Sequence, residues 1–545
     1  MISRICSSAA AFLFSYAIIH ILINWFGFTR SLTKFPTLGF IILALLFTAY
    51  VAIRPRWRMV GAPWLALAML LLGVITLVPF AFVYDVFGTY DLGSIMITMR
   101  NNPPKEMLFV GLGTLSDMII EYTIIFFVLV LFGFYLSKRV PYFAHFAVLL
   151  GAFLVFASPL TTFLYRSFVP NPHHELVDIS EDFQIPQIIS RPDEHKNIIF
   201  MYLESVERTY RDIPETTAAF ASLAQIESAG LSFDNIHQIY GTHFTAAGML
   251  ATQCGIPLLP NGIINVARKL RGRTESEELD FEGFMNHVVC LGDILAQDGY
   301  IGSYVNGSNL AVFNKGSLFQ SHGHERVFGV DVLDGPREEV YENNWGLSDA
   351  TVFQYAQDEL EYLVSLDRPF TMSLLTLSTH GPDAELDPGC DYPLIDDSRI
   401  PAAIKCTGDH VVRMLEKLDE LGIADNTIVV VLSDHLAMRS SISHVLKARD
   451  QDRRNLVTVL GAGAPLVISE EGTMLDVYPT ILKLMGYEIA DSRANMGVSL
   501  LSEHSTLAQR VGVTKLSKAI KQNTALQDFL WNEEVFNSVL DFAAN

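Results

Sequence analysis

Three short apolar runs beyond residue 166 of this 545-residue chain each end on groups that can bind a cation or move a proton. NIIFMYL (197–203) is followed by Glu204, FTMSLLTL (370–377) by Ser378, Thr379 and His380, and TIVVVLS (427–433) by Asp434 and His435. Singly these are weak signals, since a carboxylate at a strand end is more often a helix cap and a lone histidine more often a surface residue. Together Glu204, Asp434 and His435 form a mixed oxygen and nitrogen donor set suited to Mn2+, Mg2+ or Zn2+, with ligand type alone not choosing among them. A cation beside a hydroxyl can do nucleophilic chemistry: neutral threonine is a poor nucleophile, and a divalent ion stabilises its alkoxide. The run YGTHFTAAGM (240–249) places Thr245 at an expected helix start. There, open backbone N–H groups and the positive dipole end favour a phosphate. The bland reading makes Thr245 only a helix cap, and spacing alone leaves Thr242 an equal rival as nucleophile.

Elements must bring these groups together. The second half alternates β-rich runs (197–203, 301–305, 370–377, 427–432) with amphipathic stretches such as 349–365 and 408–421. That pattern predicts an α/β domain with a mostly parallel central sheet covered by helices. Ligands of such sheets lie beyond the carboxyl ends of the strands, where Glu204, His380, Asp434 and His435 fall.

The first part of the chain is different. Residues 1–166 hold 11 basic and 5 acidic residues, leaving 27 basic and 54 acidic for 167–545. An acidic aqueous half argues against a nucleic-acid partner. Five apolar runs near 8–28, 37–53, 62–84, 118–136 and 143–165 predict a five-helix transmembrane domain over 1–166. Arg4, the Arg54, Arg56 and Arg58 group, and Lys138 with Arg139 fall in alternate loops, which favours a cytoplasmic N-terminus and an exported second half. The segment 85–117 reads either as an interfacial helix or as a loop packed on the spans. A linker (167–195) then leads to a domain over 196–545. Cys254, Cys290, Cys390 and Cys406 all fall in that exported part. An even number in an oxidising compartment suggests two disulfides. Sequence neighbours would pair as Cys254 with Cys290 and Cys390 with Cys406, although three connectivities are possible.

NIIFMYLES, a threonine-bearing helix start, SDH, and LDVYPTILKLMG followed by NMGVSLL resemble the alkaline phosphatase/sulfatase superfamily. Its membrane-anchored members include lipoteichoic acid synthases and phosphoethanolamine transferases. FTAAGMLATQCGIPL, VCLGDIL, KGSLFQSHG, NNWGLSDATVF, SDHLAM and QDRRNLV look like the phosphoglycerol transferase I family, which decorates osmoregulated periplasmic glucans. This resemblance runs over about 195–500 and, in the membrane half, rests on span number only. It implies a multi-pass protein of the bacterial inner membrane with a periplasmic sulfatase-like domain. Its donor would be phosphatidylglycerol and its acceptor a periplasmic glucan. On it, Thr245 is nucleophile and metal ligand alongside Glu204, Asp434 and His435, with Mn2+ the favoured ion. His380 binds the donor or acts as general acid. Lys315 sits near the phosphate with Phe313 beside it. Trp345 either packs in the core or lines the acceptor groove, and the runs around Asn344 and Asp452 carry no assigned chemistry. A true sulfatase would need a formylglycine pattern, C/S-x-P-x-R, which Cys254 in CGIPLL lacks.

Overall fold

The computed structural model describes residues 62–87, 112–140, 143–156, 158, 182–259, 284–333 and 342–537, apart from positions 311, 331, 344, 396 and 439. The chain divides into two compact units, the first holding the helices before residue 172 and the second everything described from residue 182 on.

The first unit contains α1 (Ala62–Phe87), α2 (Leu112–Arg139) and α3 (Phe143–Phe156). Ala66, Leu70, Val130, Phe146, Ala147 and Leu150 form its core. Two of the five expected spans, 8–28 and 37–53, lie outside the described residues, as does most of 85–117. The other three fall on α1, α2 and α3. Among the described residues no helix is long and apolar enough to cross a membrane, so the expected five-helix transmembrane domain is not established. Of the expected 143–165 stretch, α3 covers 14 residues, and all that follows except Ser158 lies outside the described residues; α2 carries Asp117 and Glu121 in its sequence.

In the second unit, eight strands make one sheet: β1 (Asn197–Leu203), β2 (Leu231–Phe233), β3 (Ile301–Asn306), β4 (Arg326–Phe328), β5 (Phe370–Leu375), β6 (Thr427–Ser433), β7 (Val457–Leu460) and β8 (Leu466–Ile468). Their order is β8-β2-β7-β6-β1-β5-β3-β4, and only β7 pairs antiparallel to its neighbours. This is the expected α/β architecture with a mostly parallel sheet. The central strands are mostly apolar because helices cover both faces, and every residue of β1 and β6 is buried. Period-two alternation then sorts them. Ile198, Phe200 and Tyr202 enter one core layer with Val430 and Leu432, while Ile199, Met201 and Leu203 enter the other with Val429 and Val431.

Helix α4 (Thr245–Cys254) packs in the first layer, entirely buried. Helices α5 (Leu291–Gln297) and α6 (Lys315–Ser321) follow, then α7 (Asp349–Ser365) and α8 (Ile400–Glu420), which pack on the other layer. Cys254 is disulfide-bonded to Cys290, tying the end of α4 to the start of α5, and Cys390 is bonded to Cys406 within α8. The described part of the linker is fastened to the domain. Ile188–Ser190 pairs with Glu488–Ile489, and Asp182 bonds Arg493 and Arg510. Near the C-terminus come α9 (Val513–Gln522) and α10 (Thr524–Trp531). Phe529 packs edge-on against Phe183, and Trp531 donates to the Leu259 carbonyl at 2.7 Å.

Candidate active site

Adjacent strands assemble the site. β6, β1 and β5 are neighbours, and in register Ser433 lies opposite Leu203 while Tyr202 lies opposite Leu375. Glu204 and Asp434 therefore leave the sheet side by side, one residue beyond that last pair. Ligand atoms of Glu204, Asp434 and His435 all lie within 4.8 Å of one another, and all three residues are buried.

Each ligand is held by a partner that leaves one atom facing its neighbours. Asp434 Oδ1 accepts the N–H groups of Ser205 (2.9 Å) and His435 (2.8 Å). His435 Nδ1 donates to the Leu436 carbonyl at 2.8 Å, which turns Nε2 toward the two carboxylates; burial works against the charged ring, but the Asp434 and Glu204 charges outweigh it and raise His435 above its ordinary 6.5. Asp434 Oδ2 and His435 Nε2 have no hydrogen-bond partner. They stand 3.3 Å apart, with Nε2 3.4 Å from Glu204 Oε1. Buried polar atoms without partners are costly, and two of them aimed at a carboxylate fit a divalent cation. Two carboxylates, one imidazole and one hydroxyl suit the harder divalent ions and zinc.

Thr245 is that hydroxyl. It is the first residue of α4, its Oγ donates to Glu204 Oε2 at 3.2 Å, and it is buried. The cap position belongs to Phe244, which makes no side-chain cap bond. Thr245 is thus not the N-cap of the bland reading. Thr242 is spent elsewhere: its hydroxyl donates to the Ile239 carbonyl at 3.0 Å and accepts the Ile239 N–H at 3.2 Å. Geometry separates the two threonines that spacing could not.

Close approach of α4 depends on one glycine. A Cβ on Gly248 would lie 1.7 Å from the Asp434 carbonyl oxygen, so the small run after Thr245 lets the helix rest directly on the strand end.

His380 is buried and stacks on Trp345, with ring centroids 3.6 Å apart. Its Nδ1 donates to the Gly381 carbonyl at 2.7 Å. β3, beside β5, supplies the fourth contribution. Asn306 at its end bonds Ser308, and Ser308 Oγ accepts from the buried Lys315 Nζ at 2.6 Å. Phe313 and Asn314, which lead into α6, both have left-handed backbone (φ 59° and 56°), an arrangement that costs non-glycine residues about 1–2 kcal/mol. The Phe313 ring lies 5.5 Å from that of Phe244.

The electrostatics follow from burial. Glu204 and Asp434 behave as a coupled pair that holds on to one proton. Burial, then the Glu204 charge, pushes Asp434 up to about 8. Burial works against ionisation of Glu204 too, but nearby His380 and His435 overcome it and hold this carboxyl at about 2. A cation would take the place of that proton. Binding is therefore expected to release a proton and to tighten as pH rises toward 8. Asp434→Asn is expected to reduce the release to what His435, itself raised above 6.5, still sheds, and to weaken binding by more than the roughly 10–100-fold that loss of an outer partner costs. Calorimetry with Mn2+ in buffers of different ionisation enthalpy measures both.

Residues 196–487 match the model of the family described as Sulfatase. The chain belongs to the sulfatase family. Among curated relatives of this sulfatase-family chain, phosphoglycerol transferase I of Salmonella arizonae is 30% identical over 348 residues, 63% of this chain and 43% of that protein. Phosphoglycerol transferase I of Escherichia coli (strain SMS-3-5) is 31% identical over 321 residues, 58% of this chain and 40% of that protein. The chain thus spans less than half the length of these relatives. Of solved structures, lipoteichoic acid synthase LtaP from Listeria monocytogenes matches 66% of this chain and 98% of its own at 14% identity, TM-score 0.47. An alkaline phosphatase superfamily protein from Vibrio parahaemolyticus matches 64% and 78% at 18% identity, TM-score 0.45.

Several residues that hold the candidate ligands in place carry no mark in the sequence. Ser205 has φ 57° and donates its hydroxyl to Glu204 Oε1 at 2.8 Å. Thr376 accepts the Glu204 N–H at 2.9 Å, and Thr379 donates to the Glu204 carbonyl. Glu207 is buried against Arg453, and both bond the backbone of Ala437, clamping the loop after His435. Asp349, in the same string as Trp345, accepts the N–H groups of Leu377 (2.6 Å) and Ser378 (2.9 Å) and so shapes the turn bearing His380. Hydroxyl and carboxylate side chains are common everywhere, and only the fold shows which of them meet the ligands. The strings around Trp345 and Arg453 were the available signal.

Proposed function

We propose that the chain transfers phosphoglycerol from phosphatidylglycerol to a periplasmic glucan, through a covalent intermediate on Thr245, with a divalent cation, Mn2+ foremost, at Glu204, Asp434 and His435. The observation that carries this reading is the Thr245 hydroxyl, 3.2 Å from Glu204 at the head of a buried helix, beside two ligand atoms with no partner. The relatives named phosphoglycerol transferase I support the headgroup. Sulfate-ester hydrolysis is disfavoured. Cys254 lacks the pattern for formylglycine, lies at the far end of α4 from the site, and is consumed in a disulfide.

A cation bound there supplies positive charge that makes the threonine alkoxide accessible and offsets charge on the phosphoryl oxygens. The chain's own groups do the rest. Thr245 Oγ forms the bond to phosphorus as the bond to the diacylglycerol oxygen breaks, and its proton passes to the Glu204 carboxylate that already accepts it. The proton that Glu204 takes is handed on through Nε2 of His380, whose Nδ1 is committed to Gly381, to the departing diacylglycerol oxygen. In the second half a glucan hydroxyl attacks phosphorus in line and gives its proton to His380 Nε2, from which it passes through Glu204 back to Thr245 Oγ. Lys315 adds a second positive charge, and Trp345 fixes the plane of His380 from its open face. The first unit anchors the catalytic domain at the outer face of the inner membrane. Twelve of the 18 large apolar side chains exposed among the described residues lie on α1, α2 and α3, a concentration that asks for a lipid or protein cover.

The test is incubation with phosphatidylglycerol and phosphatidylethanolamine, each headgroup-labelled, in the presence of glucan. Diacylglycerol release and single glycerophosphate substituents from phosphatidylglycerol are expected. Movement of ethanolamine label would reassign the donor, and chains of glycerol phosphate would reassign the product to a polymer.

The pH dependence of transfer to the acceptor has a defined sign. Burial pushes His380 below its ordinary 6.5, with the Glu204 charge only partly restoring it. The imidazole is therefore neutral at pH 7 and able to accept a proton. Acceptor transfer is expected to be flat near neutrality and to fall along an acid limb centred below 6.5. His380→Gln removes that limb in a single-turnover pH profile started from the loaded enzyme.

A further inference from the structure

In a domain with twice as many acidic as basic residues, the stretch 505–527 holds four basic residues and no acidic one. Arg510 is taken by Asp182. The remaining three, Lys515, Lys518 and Lys521, are exposed on α9, whose opposite side buries Leu516, Ala519 and Ile520. No ion pair among the described residues engages the three lysines. The helix lies at the edge of the candidate active site. Ser517 Oγ accepts the Tyr240 N–H at 2.9 Å, and Lys521 Nζ sits 4.9 Å above the Tyr240 ring. From there a row of rings runs inward. Tyr240 and His243 are 5.5 Å apart, His243 and Phe244 5.4 Å, and Phe244 and Phe313 5.5 Å. Phe244 immediately precedes Thr245, and Tyr240, His243 and Phe313 are only half-buried.

We infer that α9, with Tyr240 at its edge, is the face on which the domain meets an anionic lipid layer. The occupant is argued from charge and from the aromatic row. A wholly basic exposed stripe in an otherwise acidic domain attracts a dense array of negative headgroups, and amphipathic rings beside lysines suit the boundary between headgroups and acyl chains. The site's rim begins where this stripe ends, so a docked lipid surface presents headgroups to the path toward Thr245. The inference rests on the reading that the donor is a phospholipid, and it adds the surface by which that donor is reached.

The experiment uses the full chain in phosphatidylcholine nanodiscs with and without phosphatidylserine, which is anionic but lacks a glycerol headgroup. Amide exchange across 513–522 and 240–244 is expected to slow with phosphatidylserine. The protection should be lost at high salt and in the variant Lys515→Gln/Lys518→Gln/Lys521→Gln. Three lysines correspond to on the order of 10²-fold in surface partitioning, read as a raised KM for disc-embedded phosphatidylglycerol with kcat and turnover of a short-chain soluble donor unchanged. Exchange that ignores lipid charge would overturn the inference, as would equal protection by a soluble phosphorylated glucan. Lipid-dependent protection without transfer from any lipid would uphold the surface and count against the donor reading instead.

Discussion

Thr245→Ala is expected to abolish diacylglycerol release from phosphatidylglycerol while leaving a folded protein that still binds a divalent cation. Removing a nucleophile costs on the order of 10³-fold or more, because the remaining groups can stabilise charge but have nothing to attack with. The structural cost is small. The Thr245 hydroxyl makes its hydrogen bond to Glu204 and does not cap α4, alanine is the better helix former, and one hydrogen bond contributes about 0.5–1.5 kcal/mol. Thr242→Val is the matched control. It loses both hydroxyl bonds to Ile239 and should lower the melting temperature by a few degrees at most while retaining turnover. Melting curves and a lipid-extraction assay on both variants decide the matter. Wild-type-like release by Thr245→Ala would remove this residue from the mechanism.

Gly248→Ala is expected to cost on the order of 10²-fold in turnover without touching a single reacting group. An added methyl would lie 1.7 Å from the Asp434 carbonyl oxygen, where real contacts essentially never fall below 3.0 Å, so the helix or strand end must open by at least 1.3 Å (3.0 − 1.7). The obstacle is backbone, which cannot swing aside as a flexible side chain would. Thr245 and Asp434 lie on opposite sides of that contact, and the displacement pulls the hydroxyl away from the ligands. A misplacement of about 1 Å can cost 10²-fold in rate, and overpacking typically costs 1–3 kcal/mol in stability. The variant should therefore show weaker cation binding, turnover reduced on the order of 10²-fold, and a lower melting temperature. Near-normal turnover would mean that the approach of α4 to β6 is not what sets the geometry.

These two residues divide what was legible from what was not. Glu204, His380, Asp434 and His435 could be picked out because each follows a short apolar run, and ligands of a parallel sheet gather at carboxyl ends. The chemistry of the set was legible too, since two carboxylates and an imidazole restrict the ion they can hold. Ser205, Thr376, Thr379, Glu207 and Asp349 were not, because their roles depend on backbone groups that approach from distant parts of the chain. Asp349, for example, meets amides 28 and 29 residues away.

Local order along the chain determined the alternation of strands and helices, the acidic balance of the second half and the identity of the metal-capable groups. Each of these depends on side-chain type and short-range periodicity. Strand order, which sets β6 beside β1 and β1 beside β5, was decided only in three dimensions, as was which of the two hydroxyls, Thr245 rather than Thr242, faces Glu204. Neighbour relations between strands arise from packing both faces of the sheet at once, and no periodicity records which strand lies next to which. The 1.7 Å that forbids a methyl at Gly248 belongs to the same class, a distance between residues 186 positions apart (434 − 248) that exists only once the chain has closed on itself.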